Sequence, residues 1–280
     1  MKALVTGAGG QLGRALVARL GASAHPFARH QLDVTDAAAV SAAVDAVRPD
    51  VVINATAYNK VDAAESEREA AFAVNATGVL SLALAAQRAG ARLVHVSTDY
   101  VFDGTSSRPY LEDDTPRPIS TYGRSKRAGE MMVEAVGAPA LLVRTSGVFG
   151  VGGSRAKGGS FVDRILERAR TGGPLRVVDD QRFAPTFAPD LAAAIVALVE
   201  RDATGIVHVT NDGQCSWYEL AQAALELAEV HATVDRISSA ELAAPARRPV
   251  YSVLSNARFA ELTGACLRSW RDALAEMLGR

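Results

Sequence analysis

The amino-acid sequence predicts an α/β fold in which a doubly wound parallel sheet carries a smaller, discontinuous C-terminal lobe. In residues 1–149, short apolar runs alternate with alanine-rich segments of helical periodicity. The first apolar run leads directly into a glycine-rich segment, and the alternation becomes irregular after Phe149. Strands that alternate with helices form parallel sheets covered by helices on both faces. We therefore expect a main domain at residues 1–149, with residues 150–280 forming mainly the second lobe, interleaved with the last elements of the sheet.

Five strands and four helices are predicted in the first half. The strands are expected at residues 2–6, 24–28, 50–54, 92–97 and 140–145. The helices are expected at residues 11–20, 36–47, 63–89 and 121–136. Ligands of such folds bind at the carboxyl ends of the strands, so site residues are sought in the segments that follow each strand.

The second half is predicted to be more mixed. A glycine-rich loop at residues 150–159 separates it from the first half. Strands are expected at residues 175–178 and 206–209, and helices at residues 161–170, 189–201, 217–229 and 270–278. The sequence contains no internal repeat and no low-complexity tail.

Composition bounds the class of protein. The 280 residues are 49% hydrophobic and 22% charged, which is typical of a soluble globular protein. The net charge of −1 lacks the basic surplus of a nucleic-acid binder, and no unbroken apolar run has the length of a membrane helix. The five scattered histidines predict no metal site. We expect a cytoplasmic protein without nucleic-acid or membrane partners.

A phosphate-binding loop is predicted at Gly7–Gly13, between the first strand and the first helix. Glycines there permit a tight turn and let backbone N–H groups approach a pyrophosphate, which the positive end of the helix dipole also attracts. The alternative is a glycine-rich turn without a ligand. The strand before and the helix after the motif favour a Rossmann dinucleotide site.

The residue after the second strand bears on the choice of cofactor. A carboxylate at that position accepts hydrogen bonds from the NAD ribose, whereas a basic residue favours the 2′-phosphate of NADP. This chain has Arg29 there, followed later by Asp33. Arg29 favours NADPH if it contacts the cofactor, and a solvated loop arginine is the equally weighted alternative.

A reductase triad is predicted from Thr98, Tyr122 and Lys126. Tyrosine and lysine four residues apart lie on one face of a helix, and a lysine ammonium is expected to lower the pKa of a neighbouring phenol. Such a tyrosine can give its proton to a carbonyl oxygen as hydride reaches the carbon. Thr98 follows the fourth strand, where its hydroxyl would meet the carbonyl.

These motifs resemble the extended short-chain dehydrogenase/reductase superfamily and, within it, the dTDP-4-dehydrorhamnose reductase family. The resemblance extends over nearly the whole chain. It rests on the glycine loop and on four further strings: NATAY at residues 54–58, STDYVFDG at residues 97–104, YGRSK at residues 122–126 and ARRP at residues 246–249.

The resemblance implies reduction of the C4 ketone of a nucleotide-activated 6-deoxy sugar by NADPH or NADH. Thr98, Tyr122 and Lys126 would be catalytic, and Tyr122 and Lys126 would also contact the cofactor. The other implied cofactor contacts are Gly7, Gly10, Gln11, Leu12, Gly13, Asp33, Val34, Ala55, Ala57 and Tyr58. The expected substrate contacts are Thr98, Asp99, Tyr100, Val101, Phe102, Gly147 and Arg248.

Four departures from the family pattern are expected on the substrate side. Gly147 stands where the family usually has a tryptophan, and Lys60 replaces a small residue. Ser120 replaces an asparagine, and residues 182–184 replace a glycine-containing stretch. Ala15 stands where some members have a metal-binding glutamate, so no metal is expected, and both a monomer and a homodimer stay open.

Two alternative functions follow from the same residues. The chain would reduce a different sugar nucleotide if Gly147 and Lys60 reshape the pocket. It would be a non-catalytic, NADP-binding partner if it resembles the regulatory subunit of methionine adenosyltransferase more closely. The Thr98, Tyr122 and Lys126 set and the motif at residues 247–249 favour catalysis, and the resemblance implies dTDP-4-dehydro-L-rhamnose as the substrate.

Overall fold

The structure, a computed structural model, describes residues 1–151 and 159–280. Most of the predicted glycine-rich loop at residues 150–159 therefore lies outside the described residues. The strands are β1 Ala3–Thr6, β2 Ala24–Phe27, β3 Val51–Asn54, β4 Arg92–Thr98, β5 Ala140–Thr145, β6 Val148–Phe149, β7 Leu175–Val178, β8 Arg182–Phe183, β9 Thr186–Phe187, β10 Gly205–His208, β11 Cys215–Ser216 and β12 Val234–Ile237. The helices are α1 Gln11–Leu20, α2 Ala37–Val47, α3 Arg68–Phe72, α4 Gly78–Arg88, α5 Thr121–Val136, α6 Phe161–Arg170, α7 Ala188–Glu200, α8 Trp217–Leu227, α9 Ser239–Leu242, α10 Ala257–Thr263 and α11 Trp270–Met277.

The central sheet has six parallel strands in the order β2-β1-β3-β4-β5-β10. The predicted doubly wound parallel sheet is confirmed. The chain moves outward from β1 to β2 and then returns to the other side of β1 to form β3. This reversal makes a crevice between the carboxyl ends of β1 and β3, which is where open α/β sheets bind their ligands.

Helices cover both faces of the sheet. On one face, α1 and α7 pack together over an apolar core that includes Leu16, Ile53 and Ile195. On the other face, α2 and α4 cover a core that includes Leu4, Val44 and Leu82. Because both faces are buried, the inner strands are rich in apolar residues, and all four residues of β1 are buried.

A second apolar core lies in the C-terminal half. It is built mainly by α6, α8, α11 and β7, and it includes Leu166, Leu220 and Leu274. The same half also supplies α7 and β10 to the central sheet, so the chain crosses between the two cores more than once. Short strand pairs join segments far apart in the chain, such as the predicted strand β7 with β12, which the sequence did not predict.

The predicted helix at residues 63–89 is interrupted. A 3₁₀ turn at Ala63–Glu65 precedes α3, and a π-helical turn at Ala73–Thr77 separates α3 from α4. The side chain of Asn75 explains the π turn, because it points inward and binds the backbone of Tyr58 and the hydroxyl of Ser125.

The helical stretch Arg68–Arg88 is long and apolar enough to cross a membrane by length and composition. Half of its most apolar window is buried inside the fold. It packs against the sheet and against α2 and α5, as the core helix of a globular protein does.

A buried ion pair ties α5 to the sheet. Glu130 of α5 accepts hydrogen bonds of 2.9 Å from both Nε and Nη2 of Arg144 in β5, and both side chains are fully buried. Removing one partner of a buried pair leaves an uncompensated charge, which is far more costly than losing an exposed pair.

We expect Glu130→Gln to lower the free energy of unfolding by about 3–5 kcal/mol, since Arg144 loses its charge partner in a fully buried site. Asp114→Asn is the matched control, because its partner Arg108 is half exposed and such pairs contribute about 0–1 kcal/mol. Urea denaturation of both variants measures the difference. Equal losses would contradict the assignment of a stabilising role to the buried pair.

Candidate active site

One large cleft lies at the carboxyl ends of the parallel strands, between the two apolar cores. Its volume is about 600 Å³. Residues from both halves of the chain line it, and they include Gly10, Gln11, Leu12, Gly13, Ala55, Ala57, Thr98, Asp99, Tyr100, Tyr122, Lys126, Gly147 and Arg248. Most of the predicted site residues are therefore brought together in a single cavity.

The glycine loop forms a cradle at the crevice between β1 and β3. Gly7 has a positive φ of 70°, and a Cβ on it would lie 2.7 Å from the carbonyl carbon of Ala55 at the end of β3. A Cβ on Gly13 would lie 2.1 Å from the carbonyl oxygen of Gly7. The N-cap residue of α1, Gly10, makes no side-chain capping bond, so backbone N–H groups at this helix end are presented to the cleft. The cradle fits a dinucleotide pyrophosphate.

The loop after β2 lies beside this cradle. Ala8 donates its N–H to the carbonyl oxygen of Phe27 at 3.1 Å, and a Cβ on Gly9 would be 3.8 Å from that of Ala28. The two loops are therefore adjacent. Arg29, the next residue after Ala28, is exposed.

Two other predicted cofactor contacts of this region, Asp33 and Val34, make their contacts within the protein. Asp33 accepts hydrogen bonds from the backbone N–H and hydroxyl of Thr35, which lower the pKa of its carboxyl. Val34 is buried in the core against Gly78 and does not line the cleft. The prediction that Val34 lines the cofactor channel is therefore wrong for its side chain, because that side chain packs in the apolar core on one face of the sheet.

The loop after β3 is held by Asn75. Its amide accepts from the backbone N–H of Tyr58 at 2.8 Å and donates to the carbonyl oxygen of Tyr58 at 2.9 Å. The Tyr58 hydroxyl donates to Glu67, so this ring is directed away from the cleft that Ala55 and Ala57 line. Tyr58 supports the predicted channel through its backbone and not through its ring.

The three predicted catalytic residues meet in the cleft. Thr98 ends β4, while Tyr122 and Lys126 lie one turn apart on α5, whose N-cap is the buried Ser120. Removal from water raises the pKa of Tyr122 to about 12, although its hydrogen bond with Thr98 opposes the shift. The predicted lowering of the tyrosine pKa by lysine is wrong for this structure, since burial dominates. At neutral pH this phenol retains its proton.

Lys126 is almost fully buried beneath the cleft. Its Nζ donates to the carbonyl oxygen of Val96 at 2.7 Å and lies 3.3 Å from Nε2 of His95. Burial lowers the pKa of the amine to about 8, and the charge of Glu130 partly opposes that shift. The amine is therefore protonated at neutral pH but gives up a proton more readily than an exposed lysine.

Asp99 joins three segments of the chain at the floor of the cleft. Its buried carboxylate accepts hydrogen bonds from Thr98 at 3.0 Å, Ser146 at 2.7 Å and Ser252 at 2.6 Å. Burial raises its pKa to about 6, and the three hydroxyl donors limit the shift. Asp99 thereby orients the Thr98 hydroxyl and ties the C-terminal half to the end of β4.

The neighbours of Asp99 divide into cleft and core residues. Tyr100 lines the cleft and meets Tyr122 edge to face, with ring centroids 5.9 Å apart. Val101 and Phe102 are fully buried, and the ring of Phe102 stacks on Tyr110 at 4.1 Å. The prediction that Val101 and Phe102 contact substrate is wrong, because their side chains form a separate apolar core.

The C-terminal half supplies arginines, among them Arg248, and an aromatic wall to the cleft. Arg248 forms a bidentate pair with Asp62, at 3.0 and 2.9 Å, and lines the cleft beside it. Gly147 has a positive φ of 50°, and a Cβ on it would lie 2.3 Å from the ring of Phe183. That ring stacks on Trp217 at 4.0 Å. An aromatic surface therefore does stand beside Gly147, supplied by the substituted stretch at residues 182–184.

The other two departures do not lie on the substrate side. Lys60 is exposed and does not line the cleft. Ser120 is buried and caps α5 by accepting from the N–H of Gly123 at 3.1 Å. The expectation that these two positions lie on the substrate side is wrong, since Lys60 is on the surface outside the cleft lining and Ser120 stabilises the helix.

Sequence reasoning missed the role of His95 and did not assign one to Asn75. Both are fully buried and both contact residues of the cleft or of its supporting loops. A histidine inside the otherwise apolar run RLVHV was the available signal. Neither partner follows from local sequence, since Lys126 is 31 residues from His95 and Ser125 is 50 residues from Asn75.

The sheet order, the glycine cradle at its switch point and the cleft at the strand ends define a Rossmann-type α/β protein. The RmlD substrate binding domain family matches the chain over residues 1–280. This chain belongs to that family.

The similarity to known relatives extends over nearly the whole chain. A dTDP-4-dehydrorhamnose reductase of Mycobacterium tuberculosis is 43% identical, across 98% of this chain and 91% of the relative. A dTDP-4-keto-6-deoxy-D-glucose reductase of Streptomyces niveus is 39% identical, across 98% and 95%. The crystal structure of dTDP-4-dehydrorhamnose reductase from Bacillus anthracis in complex with NADP has a TM-score of 0.93, with 37% identity and 99% coverage of both chains.

The raised pKa of Asp99 makes stability depend on pH. A carboxyl with a higher pKa in the folded state stabilises the fold below its unfolded value near 4, and this contribution is lost as the pH rises through about 6. Relative to Asp99→Asn, the free energy of unfolding should fall by on the order of 2–3 kcal/mol between pH 4 and pH 7. Denaturation curves across this range measure it, and a difference that is constant or rises with pH would refute the assignment.

Proposed function

We propose that this chain reduces the C4 ketone of a dTDP-4-keto-6-deoxy sugar with NADPH, and that dTDP-4-dehydro-L-rhamnose is its preferred substrate. The observation that carries the proposal is the meeting of Thr98, Tyr122 and Lys126 in the cleft that the glycine cradle also lines. The relatives named as reductases of such dTDP sugars support it, since they match the chain from end to end.

The glycine cradle would hold the cofactor. Gly10, Gln11, Leu12 and Gly13 present backbone at the N-terminus of α1 to the pyrophosphate, while Ala55 and Ala57 line the path toward Lys126. When bound, the reduced nicotinamide supplies hydride to the ketone carbon. Arg29, exposed beside the glycine loop, is the residue that we assign to the 2′-phosphate of NADPH, and the NADP complex of the B. anthracis relative supports NADPH over NADH.

The proton is supplied by the protein. Tyr122 and Lys126 both carry their protons at neutral pH, so Tyr122 can give its hydroxyl proton to the developing alkoxide. Lys126 then returns a proton to the phenolate. The Thr98 hydroxyl donates to Asp99 in this structure and lines the cleft beside Tyr122, and it would turn from Asp99 to donate to the ketone oxygen. Loss of any one group therefore weakens proton delivery more than substrate binding.

The C-terminal half would select the sugar nucleotide. Arg248 provides the cation for a phosphate or sugar hydroxyl, and Phe183 with Trp217 provides a flat apolar wall beside Gly147. We therefore assign cofactor binding to residues 1–149 and substrate binding mainly to residues 150–280. The relatives act on more than one dTDP sugar, so this wall bears on which one is preferred.

A non-catalytic NADP-binding subunit is the weaker alternative. It gives no reason for Thr98, Tyr122 and Lys126 to line one cleft or for Asp99 to orient a hydroxyl. We propose a cytoplasmic enzyme that acts as a monomer or homodimer, without nucleic-acid or membrane partners, in keeping with its net charge of −1.

Tyr122→Phe tests the proton donor. Removing a general acid lowers the rate by about 10²–10⁴-fold, so kcat should fall by that range while the KM for the sugar nucleotide changes little. Turnover is followed by the loss of NADPH absorbance with dTDP-4-dehydro-L-rhamnose. Tyr110→Phe is the matched control, because that hydroxyl binds Asp103 outside the cleft. Near wild-type turnover of Tyr122→Phe would sink the assignment.

Arg29→Ala tests the choice of cofactor. A hydrogen bond between charged groups contributes about 1.5–3 kcal/mol, and for an exposed arginine the low end applies, so the Kd for NADPH should rise by about tenfold. The Kd for NADH should not change, because NADH has no 2′-phosphate. Titration calorimetry measures both, with Arg19→Ala on the exposed face of α1 as the control. An equal effect on both cofactors would contradict the 2′-phosphate contact.

A further inference from the structure

A network of buried polar side chains, linked by hydrogen bonds, runs from the glycine loop to Lys126. The hydroxyl of Thr6 and the N–H of Thr56 both donate to Oδ1 of Asn54, at 2.8 and 3.0 Å. Nδ2 of Asn54 lies 3.0 Å from Nδ1 of His95, and Nε2 of His95 lies 3.3 Å from Nζ of Lys126. This polar network links the ends of β1 and β3 to α5 through the middle of β4.

The hydrogen-bond donors in this polar network determine the tautomer of His95. Because the backbone N–H of Thr56 can only donate, the atom of Asn54 that it meets is the amide oxygen, and the amide NH₂ faces His95. Nδ1 of His95 therefore accepts, and a neutral imidazole then carries its proton on Nε2. Burial, reinforced by the charge of Lys126, holds the pKa of His95 well below its usual value, so the ring is neutral.

The Nε2–H group of His95 consequently points at Lys126. An ammonium has only protons to offer at that contact, whereas a neutral amine has a lone pair that can accept the Nε2–H. Among the residues that the structure describes, Tyr122 and Glu130 are further titratable groups near Lys126, and both lie on its own helix. In the described part of the chain, the salt bridges of Glu130 go to Arg127 and Arg144 and not to Lys126.

We propose that His95 is a positioning residue that stabilises the neutral amine which Lys126 becomes after it has given a proton to Tyr122. The proposal rests on the proposed reductase function. Hydride goes to the ketone carbon, the Tyr122 hydroxyl proton goes to the oxygen, and a Lys126 proton goes to the phenolate. The lone pair left on Nζ accepts a hydrogen bond from His95 Nε2–H, no proton leaves His95, and solvent reprotonates the lysine.

The tautomer is tested on the wild-type chain by ¹⁵N NMR of its five histidines, with assignment by substitution. His95 should carry its proton on Nε2 throughout the neutral range. His208 is a matched control, because its Nδ1 faces the carbonyl oxygen of Tyr110 at 3.1 Å and must therefore donate. It should show the opposite tautomer. A proton on Nδ1 of His95 would overturn the proposal, since Nε2 would then accept from the ammonium.

The effect on Lys126 is tested by ¹³C NMR titration of the lysine side chains in His95→Phe. The chain has four lysines, so Lys126 is assigned with Lys126→Arg. Without Nε2–H, the pKa of Lys126 should rise from about 8 by on the order of one pH unit. His208→Phe should leave it unchanged.

Kinetics then separate this role from a purely structural one. In His95→Phe, kcat should fall by about tenfold at neutral pH, with the KM for the sugar nucleotide unchanged, because one unit of pKa is a tenfold change in proton affinity. An unmoved Lys126 pKa would refute the proposal even if activity fell. If His95→Phe shifts the pKa of Lys126 but the wild-type chain reduces no dTDP sugar, the role of the His95 contact is retained and the proposed function is refuted.

Discussion

Direct backbone contact on one face of α5 decides where the reactive side chains lie. A Cβ on Gly123 would be 2.2 Å from the carbonyl oxygen of Tyr100, and a Cβ on Gly129 would be 2.1 Å from that of Asn75. Gly123 directly follows Tyr122 and Gly129 lies three residues after Lys126, so the helix packs closely against the end of β4 and the π-helical turn. Any larger residue would lift α5 off the sheet and move both side chains away from Thr98.

This close packing also explains the electrostatics of the site. Lys126, Asp99 and Glu130 are all removed from water, which disfavours their charged forms, and each is stabilised differently. Glu130 has a full ion pair with Arg144, and Asp99 has three hydroxyl donors. In the described part of the chain, the Lys126 ammonium donates to one carbonyl, that of Val96, and lies beside His95. The group with the fewest partners is the one expected to exchange its proton, while the well-paired groups hold the architecture.

The substrate side is built from contacts between the two halves of the chain. Asp62 pairs with Arg248 across 186 residues, and Asp99 accepts from Ser252 across 153. The ring of Phe183 fills the space beside Gly147, so the wall is made by a different residue from the tryptophan expected at position 147. Variation in sugar preference within a family is possible at such a wall, because the central sheet and the triad do not depend on it.

The sequence by itself determined the strand and helix alternation, the glycine loop and the spacing of Tyr122 and Lys126, since each depends on residues close together in the chain. It predicted a single helix at residues 63–89 and substrate contacts for Val101 and Phe102. The structure differs because Asn75 bonds to Tyr58 and Ser125, and because Phe102 stacks on Tyr110. Only the tertiary structure decided that His95 meets Lys126 and that Asp99 joins both halves. Those contacts depend on how strands and helices pack, which no local pattern of residues specifies.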